Sequence, residues 1–289
     1  MTTPKSLTDE DRSSLLRDLT SLRTDDDDAV EQDPKWFLPL DAHARALRPE
    51  TLVVRGGRGA GKTALVHFLG QARKDPTLSG SASLPTMSDA EWVEGFSTAI
   101  QHPNGDAIGA FAETATDARR RYFWFGWLCS CVGSAAGLQL PTPELSDAMS
   151  SRDPARIADS VGSSLAKLGN WLDGIERSRD RAMVITYDGL DRIGTSSTSR
   201  EHLTASLLAT WLALTDRHRR IRPKIFVRED LFAASTSAFP DASKLEAEGA
   251  KGEYVLCVQG LGEADDDEDD DDEEPVPPLG PPRGGAFRP

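Results

Sequence analysis

Residues 51–69 read TLVVRGGRGAGKTALVHFL, and they contain the most specific pattern in the chain. It opens with a short apolar, β-rich run, Thr51 to Arg55, which predicts a buried strand. A glycine-rich loop follows, and Ala64 to Leu69 continue with the composition of a helix. Between Gly56 and Thr63 the loop has the spacing Gly, four residues, Gly-Lys-Thr. We interpret it as a phosphate-binding loop of the Walker A type.

The chemistry of this loop follows from its residue types. Glycines adopt backbone conformations closed to other residues, so successive N–H groups can point into one concave space. The positive end of the next helix faces the same space, which favours an anion there. Lys62 is expected to reach the β- and γ-phosphates, and the Thr63 hydroxyl to ligate Mg²⁺. The predicted nucleotide-binding residues are Gly56, Gly57, Arg58, Gly59, Ala60, Gly61, Lys62, Thr63 and Ala64.

Charge and hydropathy exclude several classes of protein. The chain has 289 residues and a formal net charge of −14. Residues 263–274 alone carry eleven acids and no base, so about −3 remains for the rest. The sequence has no basic stripe of the kind that marks a nucleic-acid or membrane surface. The longest apolar stretch, Phe123 to Val132, is too short to span a bilayer and predicts a core helix.

The cysteines and the N-terminus indicate a cytoplasmic protein. Cys129, Cys131 and Cys257 are an odd number without the spacing of a metal site, which favours reduced thiols. The N-terminus is polar and acidic and does not resemble a signal peptide. We therefore expect the chain to be cytoplasmic.

Composition divides the chain into three regions. Residues 1–35 predict a helix with a leucine stripe followed by an acidic linker, 36–260 a P-loop NTPase domain, and 261–289 a disordered acidic and Pro/Gly-rich tail. The N-terminal helix needs a surface to pack on. The body of the domain is the first candidate, and a second subunit or partner protein is the other.

Alternating strands and helices predict the fold class. Ala182 to Asp188 is a continuous apolar run ending in an acid, which indicates a parallel strand buried on both faces. Leu203 to Leu214 predict a helix, and Lys224 to Arg228 a third strand. This alternation predicts a three-layer α/β fold with a parallel sheet.

Other segments have local signatures of their own. The run Ser88-Asp89-Ala90-Glu91 predicts the start of a helix that carries Trp92, Val93 and Phe96. Pro103 and Gly105 predict a loop over residues 101–109. The remaining predictions are a helix over residues 119–132, a helix over residues 157–175 and a basic turn over residues 217–222.

Asp188 has the sequence context of a Walker B acid. It stands at the carboxyl end of a predicted buried strand, where α/β sheets gather ligand-binding groups. Its carboxylate is expected to hold Mg²⁺ opposite Thr63. A water-activating carboxylate commonly follows this acid directly, but Gly189 occupies that position. Asp191 is the candidate to polarise the attacking water, with a helix N-cap or a salt bridge to Arg192 as the alternative.

Arg228 ends the third predicted strand and should emerge at the same sheet edge as Lys62 and Asp188. A guanidinium there can sense or stabilise the γ-phosphate. A surface salt bridge to Glu229 or Asp230 is the alternative. The predicted catalytic residues are therefore Lys62, Asp188, Asp191 and Arg228, and the predicted metal ligands are Thr63 and Asp188.

The motifs GGRGAGKT (56–63), DGLDR (188–192) and KIFVREDLF (224–232), in this order, resemble those of bacterial P-loop ATPases of the STAND and KAP type. These belong to the ASCE division, near the AAA+ proteins. The resemblance implies a five-stranded core, Mg²⁺-ATP, slow hydrolysis, nucleotide-dependent assembly and, in many bacterial members, signalling or defence against phage. The usual helical lid is not recognisable after Leu231. We therefore expect a truncated member, or a reading frame that leaves the family's sequence near Gly249.

Three functions remain open from sequence. The first is Mg²⁺-dependent ATP hydrolysis by in-line attack of water, with Lys62, Thr63, Asp188 and Asp191 in the roles given above. The second is a nucleotide-binding switch with little or no turnover, favoured by Gly189 and the missing lid. A small-molecule or nucleotide kinase is a third, less favoured because the DGLDR motif and Arg228 are not needed for it.

Overall fold

A computed structural model describes residues 41–48, 51–74, 90–97, 105–194, 196–237, 239, 241 and 255–257. The predictions for residues 1–35 and for the tail at 261–289 lie outside these residues. Within them the strands are β1 (Val53–Gly56), β2 (Ala90–Phe96), β3 (Ala182–Tyr187), β4 (Ile221–Arg228) and β5 (Val255–Cys257).

Helices separate the strands along the chain. The described α-helices are α1 (Asp41–Ala46), α2 (Lys62–Lys74), α3 (Gly105–Thr114), α4 (Asp117–Ala136), α5 (Pro143–Ser151), α6 (Pro154–Ser178), α7 (Ser197–Thr215) and α8 (Glu229–Ser237). A single 3₁₀ turn, Leu190–Arg192, follows β3. The strand and helix predicted within residues 51–69 are confirmed, as are the helices predicted within α4, α6 and α7.

The five described strands form one parallel sheet in the order β2-β3-β4-β1-β5. Strand β4 therefore lies between β1 and β3. Its pairing with β1 runs from Val53 opposite Ile225 to Gly56 opposite Arg228. The predicted α/β class with a parallel sheet is confirmed.

The core lies on both faces of this sheet. Neighbouring residues of one strand fall into separate apolar clusters, as Val53 and Val54 of β1 do, because successive side chains point to opposite faces. One cluster joins the sheet to side chains of α3 to α8. The other joins Val54, Val184 and Phe226 to α1 and α2. Helices thus cover both faces, as a parallel sheet requires.

The helix predicted from Ser88 is wrong, because residues 90–96 form strand β2. Trp92 packs in the cluster beneath α1 and α2, whereas Val93 and Phe96 pack in the cluster beneath α3 to α8. Burial on both faces removes the polar alternation that marks a half-buried strand. The remaining spacing of apolar residues matched a helix, and the Ser-Asp start reinforced that reading.

Two element boundaries also differ from prediction. Helix α3 begins at Gly105, inside the predicted 101–109 loop. Strand β4 begins at Ile221, so its first residues come from the predicted basic turn. Pro223 is tolerated in this central strand because it lies where β4 pairs with β3 alone; pairing with β1 begins two residues later, at Ile225.

Aromatic residues connect the helical layer to the end of β3. Trp124 of α4 is fully buried, with its ring centroid 6.0 Å from that of Tyr187. On its other side Tyr187 lies 6.1 Å from Trp211 of α7. The prediction that the aromatic residues of α4 are core residues is confirmed. The ring next to Asp188 in the chain is therefore held between two tryptophans.

Candidate functional site

The glycine-rich loop links β1 to the first turn of α2. Gly59 and Gly61 have φ values of 81° and 78°, and a Cβ added at either would meet no atom within 4 Å. Glycine is needed there for the left-handed backbone and not for lack of space. The Leu65 N–H donates to Gly61 O at 2.9 Å. Helix α2 thus opens at Lys62, and its first N–H groups have no intrahelical acceptor.

Lys62 folds back over this loop. Its Nζ donates to Gly56 O at 2.7 Å and to Gly57 O at 2.8 Å. Burial lowers the pKa of Lys62, whereas the charges of Asp188 and Asp191 act to raise it. The ammonium is therefore a cation held by two backbone carbonyls of the loop itself. An anion entering the loop offers it a stronger partner.

Asp188 follows β3 and is almost fully buried, with 9 % of its surface exposed. Its N–H donates to Phe96 O at 2.8 Å, which fixes it beside the end of β2. Burial raises the pKa of its carboxyl, and hydrogen bonds from the Gly189 N–H and the Thr63 hydroxyl oppose that rise. The predicted metal ligands Thr63 and Asp188 are in contact. A hydroxyl and a carboxylate are oxygen donors of the kind that Mg²⁺ prefers.

Asp191 lies inside the 3₁₀ turn after β3, and its carboxylate faces β4. Asp191 Oδ2 is 3.7 Å from Arg228 Nη1. Gly189, at φ 70°, and not Asp191, occupies the cap position of this turn, so the N-cap alternative for Asp191 is wrong. The sequence did not indicate the ion pair with Arg228, because the two residues meet only when β3 and β4 pair.

Arg228 ends β4 beside the loop, and its guanidinium pairs with Asp230. Its Nη2 lies 2.7 Å from Asp230 Oδ2, and its Nε lies 3.1 Å from Asp230 Oδ1. Glu229, the other predicted partner, instead pairs with Arg55 at 3.2 Å. The alternative of a surface ion pair at Arg228 is therefore observed with Asp230. Arg228 also acts to lower the pKa of Lys62, so its charge reaches that ammonium.

The strand order explains why these residues meet. The connection after β1 leads to β2, the outermost strand on one side of the sheet, whereas the connection after β4 leads in the opposite direction to β5, the outermost strand on the other side. Neighbouring parallel strands whose connections run in opposite directions leave a crevice at their carboxyl ends, the usual ligand site of such sheets. The loop, Asp188 and Arg228 all lie at the carboxyl ends of the strands.

The polar residues at the end of β2 were missed. Ser97 follows β2, and its hydroxyl donates to the Glu94 carboxylate. Phe96 O receives the Asp188 N–H, so the end of β2 forms one wall beside Asp188. The incorrect helix prediction hid this wall. The sequence signal for this strand end is a run of apolar residues that ends in a polar residue, like the run that ends at Asp188.

The basic turn before β4 lies at the amino ends of the strands, on the opposite side of the sheet from the glycine-rich loop. Glu176 of α6 accepts hydrogen bonds from the N–H groups of Arg219 and Arg220, both at 2.7 Å, and from that of Ile221 at 2.9 Å. The turn is anchored by its backbone at the amino end of β4. Its arginines therefore lie away from the loop of their own chain.

A separate concavity of about 500 Å³ lies among α4, α6 and α7. Apolar walls from residues such as Phe125, Leu165 and Leu214 dominate it, and Asp173 and Arg217 stand at its rim. None of the loop residues, and neither Asp188 nor Arg228, lines it. The predicted phosphate site is therefore not this cavity.

Two further expectations can be compared with the described residues. Cys129 and Cys131 are free thiols, and burial raises the pKa of Cys131 to about 12. The described residues contain no group of three or more His, Cys, Asp or Glu side chains arranged for a metal ion. None of the helices that the structure describes is both long and apolar enough to cross a membrane.

Comparisons of the chain with protein-family models, with curated proteins and with solved structures found no match.

Proposed function

We propose that this protein binds Mg²⁺-ATP in the loop between β1 and α2 and hydrolyses it, to drive or regulate assembly or signalling. The observation that carries the proposal is the meeting of the Gly-Lys-Thr loop, Asp188 and Arg228 at one sheet edge. Three motifs far apart in the chain thus supply one anion site with a carboxylate and a guanidinium. The resemblance to STAND and KAP ATPases supports the same function.

Each residue has a role that its surroundings allow. Lys62 would exchange two carbonyl partners for phosphate oxygens, and Thr63 and Asp188 would hold Mg²⁺, which neutralises charge on the phosphates. Asp191 would orient the attacking water once its ion pair with Arg228 opens. Arg228 would then stabilise charge on the terminal phosphate.

A nucleotide-binding switch with little turnover is the second candidate. Gly189 offers no carboxylate next to Asp188, and the Asp191 carboxylate faces the Arg228 guanidinium. Both observations favour slow hydrolysis. The switch would use the same loop and metal ligands and differ only in the rate of phosphate release.

The test measures Mg²⁺-ATP binding by calorimetry and phosphate release on the full chain, beside two lysine variants. Lys62→Ala should abolish both, because it removes the cation in the loop. Lys167→Ala is the matched control, since Lys167 is exposed on α6 and away from the site. GTP in place of ATP would report the base preference, which the loop does not read.

The outcomes separate the two candidates. Binding with slow phosphate release, both lost in Lys62→Ala, supports an ATPase. Binding without release supports the switch. Wild-type protein that binds no nucleotide, or binding that survives in Lys62→Ala, would overturn the proposal.

A further inference from the structure

The pairing of Arg228 with Asp230 uses the same nitrogens that a phosphate would need. Nε and Nη2 of Arg228 face the two oxygens of one carboxylate, in a fork at 3.1 and 2.7 Å. Arginine binds a phosphate through that same planar fork. Arg228 therefore cannot hold Asp230 and present this fork to a phosphate at the same time.

The position of Arg228 makes this competition relevant to the loop. Its backbone lies directly opposite Gly56, the first residue of the loop, in the β1–β4 pairing. Its other terminal nitrogen, Nη1, points toward Asp191 at 3.7 Å. Because paired strands lie about 4.8 Å apart, the Arg228 side chain begins directly beside the loop.

The observed pair is weak enough to exchange. The side chains of Arg228 and Asp230 are 38 % and 67 % exposed. Exposed ion pairs contribute little to stability. A terminal phosphate carries more charge than a carboxylate and would be bound between Lys62 and the metal ligands. Exchange is therefore favourable only when that phosphate is present.

From these observations we infer that Asp230 holds Arg228 away from the loop and so sets how well the site distinguishes a nucleoside triphosphate from a diphosphate. The inference rests on the proposed function and adds a positioning residue to it. A triphosphate must break the Arg228–Asp230 pair to gain Arg228 as a ligand. A diphosphate lacks the group that would recruit Arg228 and leaves the pair intact.

Asp230→Asn tests the inference directly. The amide removes the charge but keeps an oxygen to accept the Leu231 N–H, which Asp230 also bonds at the start of α8. Calorimetry with Mg²⁺ compares a non-hydrolysable ATP analogue with ADP. We expect the dissociation constant of the analogue to fall about two- to fivefold, from the strength of exposed ion pairs. The constant for ADP should stay unchanged.

Two control variants separate this effect from a general loss of negative charge. Glu229→Gln removes a charge from the same helix turn, but its partner is Arg55 and not Arg228. It should leave the preference for triphosphate over diphosphate as in the wild type. In the Arg228→Ala background, Asp230→Asn should give no gain in affinity for the analogue, because the guanidinium for which Asp230 and the phosphate compete is absent.

The failures are distinguishable. If wild-type protein binds neither nucleotide, the proposed function and this inference are both overturned. If wild-type protein binds nucleotide but Asp230→Asn improves ADP as much as the analogue, only the role of Asp230 is overturned. A gain that persists without Arg228 would have the same meaning.

Discussion

At the scale of single residues, Asp188 is where stability and the proposed function conflict. Its carboxylate is nearly buried, and burial raises its pKa although two hydrogen bonds oppose the rise. The ionised form is thus less favourable in the folded chain than in the unfolded chain. A metal ion would reverse this, because Mg²⁺ favours the charged carboxylate.

Asp188→Asn should therefore stabilise the protein and abolish the proposed Mg²⁺-dependent nucleotide binding. We expect a gain of about 0.5 to 2 kcal/mol in the free energy of unfolding at pH 7. The gain should shrink as the pH falls through the raised pKa, because there the wild-type carboxyl is already neutral. Urea unfolding at several pH values measures it.

Asp147→Asn is the control for this substitution, since Asp147 is exposed on α5. It should change the free energy of unfolding by less than about 0.5 kcal/mol. A destabilised Asp188→Asn, or one that still binds nucleotide through Mg²⁺, would contradict the role given to Asp188.

The sequence contains clear local signals for some of these residues and none for the ion pairs between them, for physical reasons. The loop and Asp188 have local signals: a fixed glycine spacing, and an acid after an unbroken apolar run. The partner of Arg228 has no such signal. The carboxylates one and two residues further along the chain, and a third in the 3₁₀ turn after β3, are all near enough to compete for it, and the choice depends on the packing of α8 and β4.

At the scale of elements, the turn before β4 depends on one side chain of α6. Glu176 accepts three consecutive backbone N–H groups, those of residues 219–221. Such concave runs of N–H groups bind anions well. The contact attaches the amino end of β4 to α6, and thus the middle of the sheet to the helical layer.

Glu176→Ala should destabilise the fold by about 1 to 3 kcal/mol, because the three N–H groups lose a charged acceptor. Asp180→Ala, which removes an exposed acid just beyond α6, should have little effect. The comparison is made by urea unfolding. Nucleotide affinity should be unchanged in Glu176→Ala, since the turn lies at the opposite edge of the sheet from the loop.

Elements differed in how well the sequence predicted them. The helices within α4, α6 and α7 were predicted because each is a long apolar or amphipathic stretch, and α6 also has a clear helical period. Strand β2 was misassigned because both of its faces are buried. Strand β5, Val255–Cys257, was not predicted, since three residues are too few to show a period.

At the scale of the whole molecule, the candidate site joins three central strands. Lys62 follows β1, Asp188 follows β3, and Arg228 ends β4. A ligand held by all three binds the folded chain and not the unfolded one. Its binding energy is then added to the stability of the sheet.

Saturating Mg²⁺-ATP should therefore raise the melting temperature in proportion to the logarithm of its concentration. At a hundred times the dissociation constant, the gain is about 2.7 kcal/mol, or about 5 to 10 °C for a domain of this size. Thermal unfolding followed by tryptophan fluorescence measures it, since Trp124 and Trp211 flank the residue before Asp188. Lys62→Ala should show no shift, and a shift of equal size there would contradict binding in the loop.

The place of β4 between β1 and β3 has a consequence for synthesis. Translation delivers β1 and β3 before β4, so the nascent sheet lacks its middle strand until Arg228 has left the ribosome. The strands that carry Lys62 and Asp188 are not neighbours until β4 enters between them. At the proposed site, nucleotide should therefore stabilise the sheet only after β4 has been inserted. A chain interrupted before residue 221 should gain no protection from protease when ATP is added.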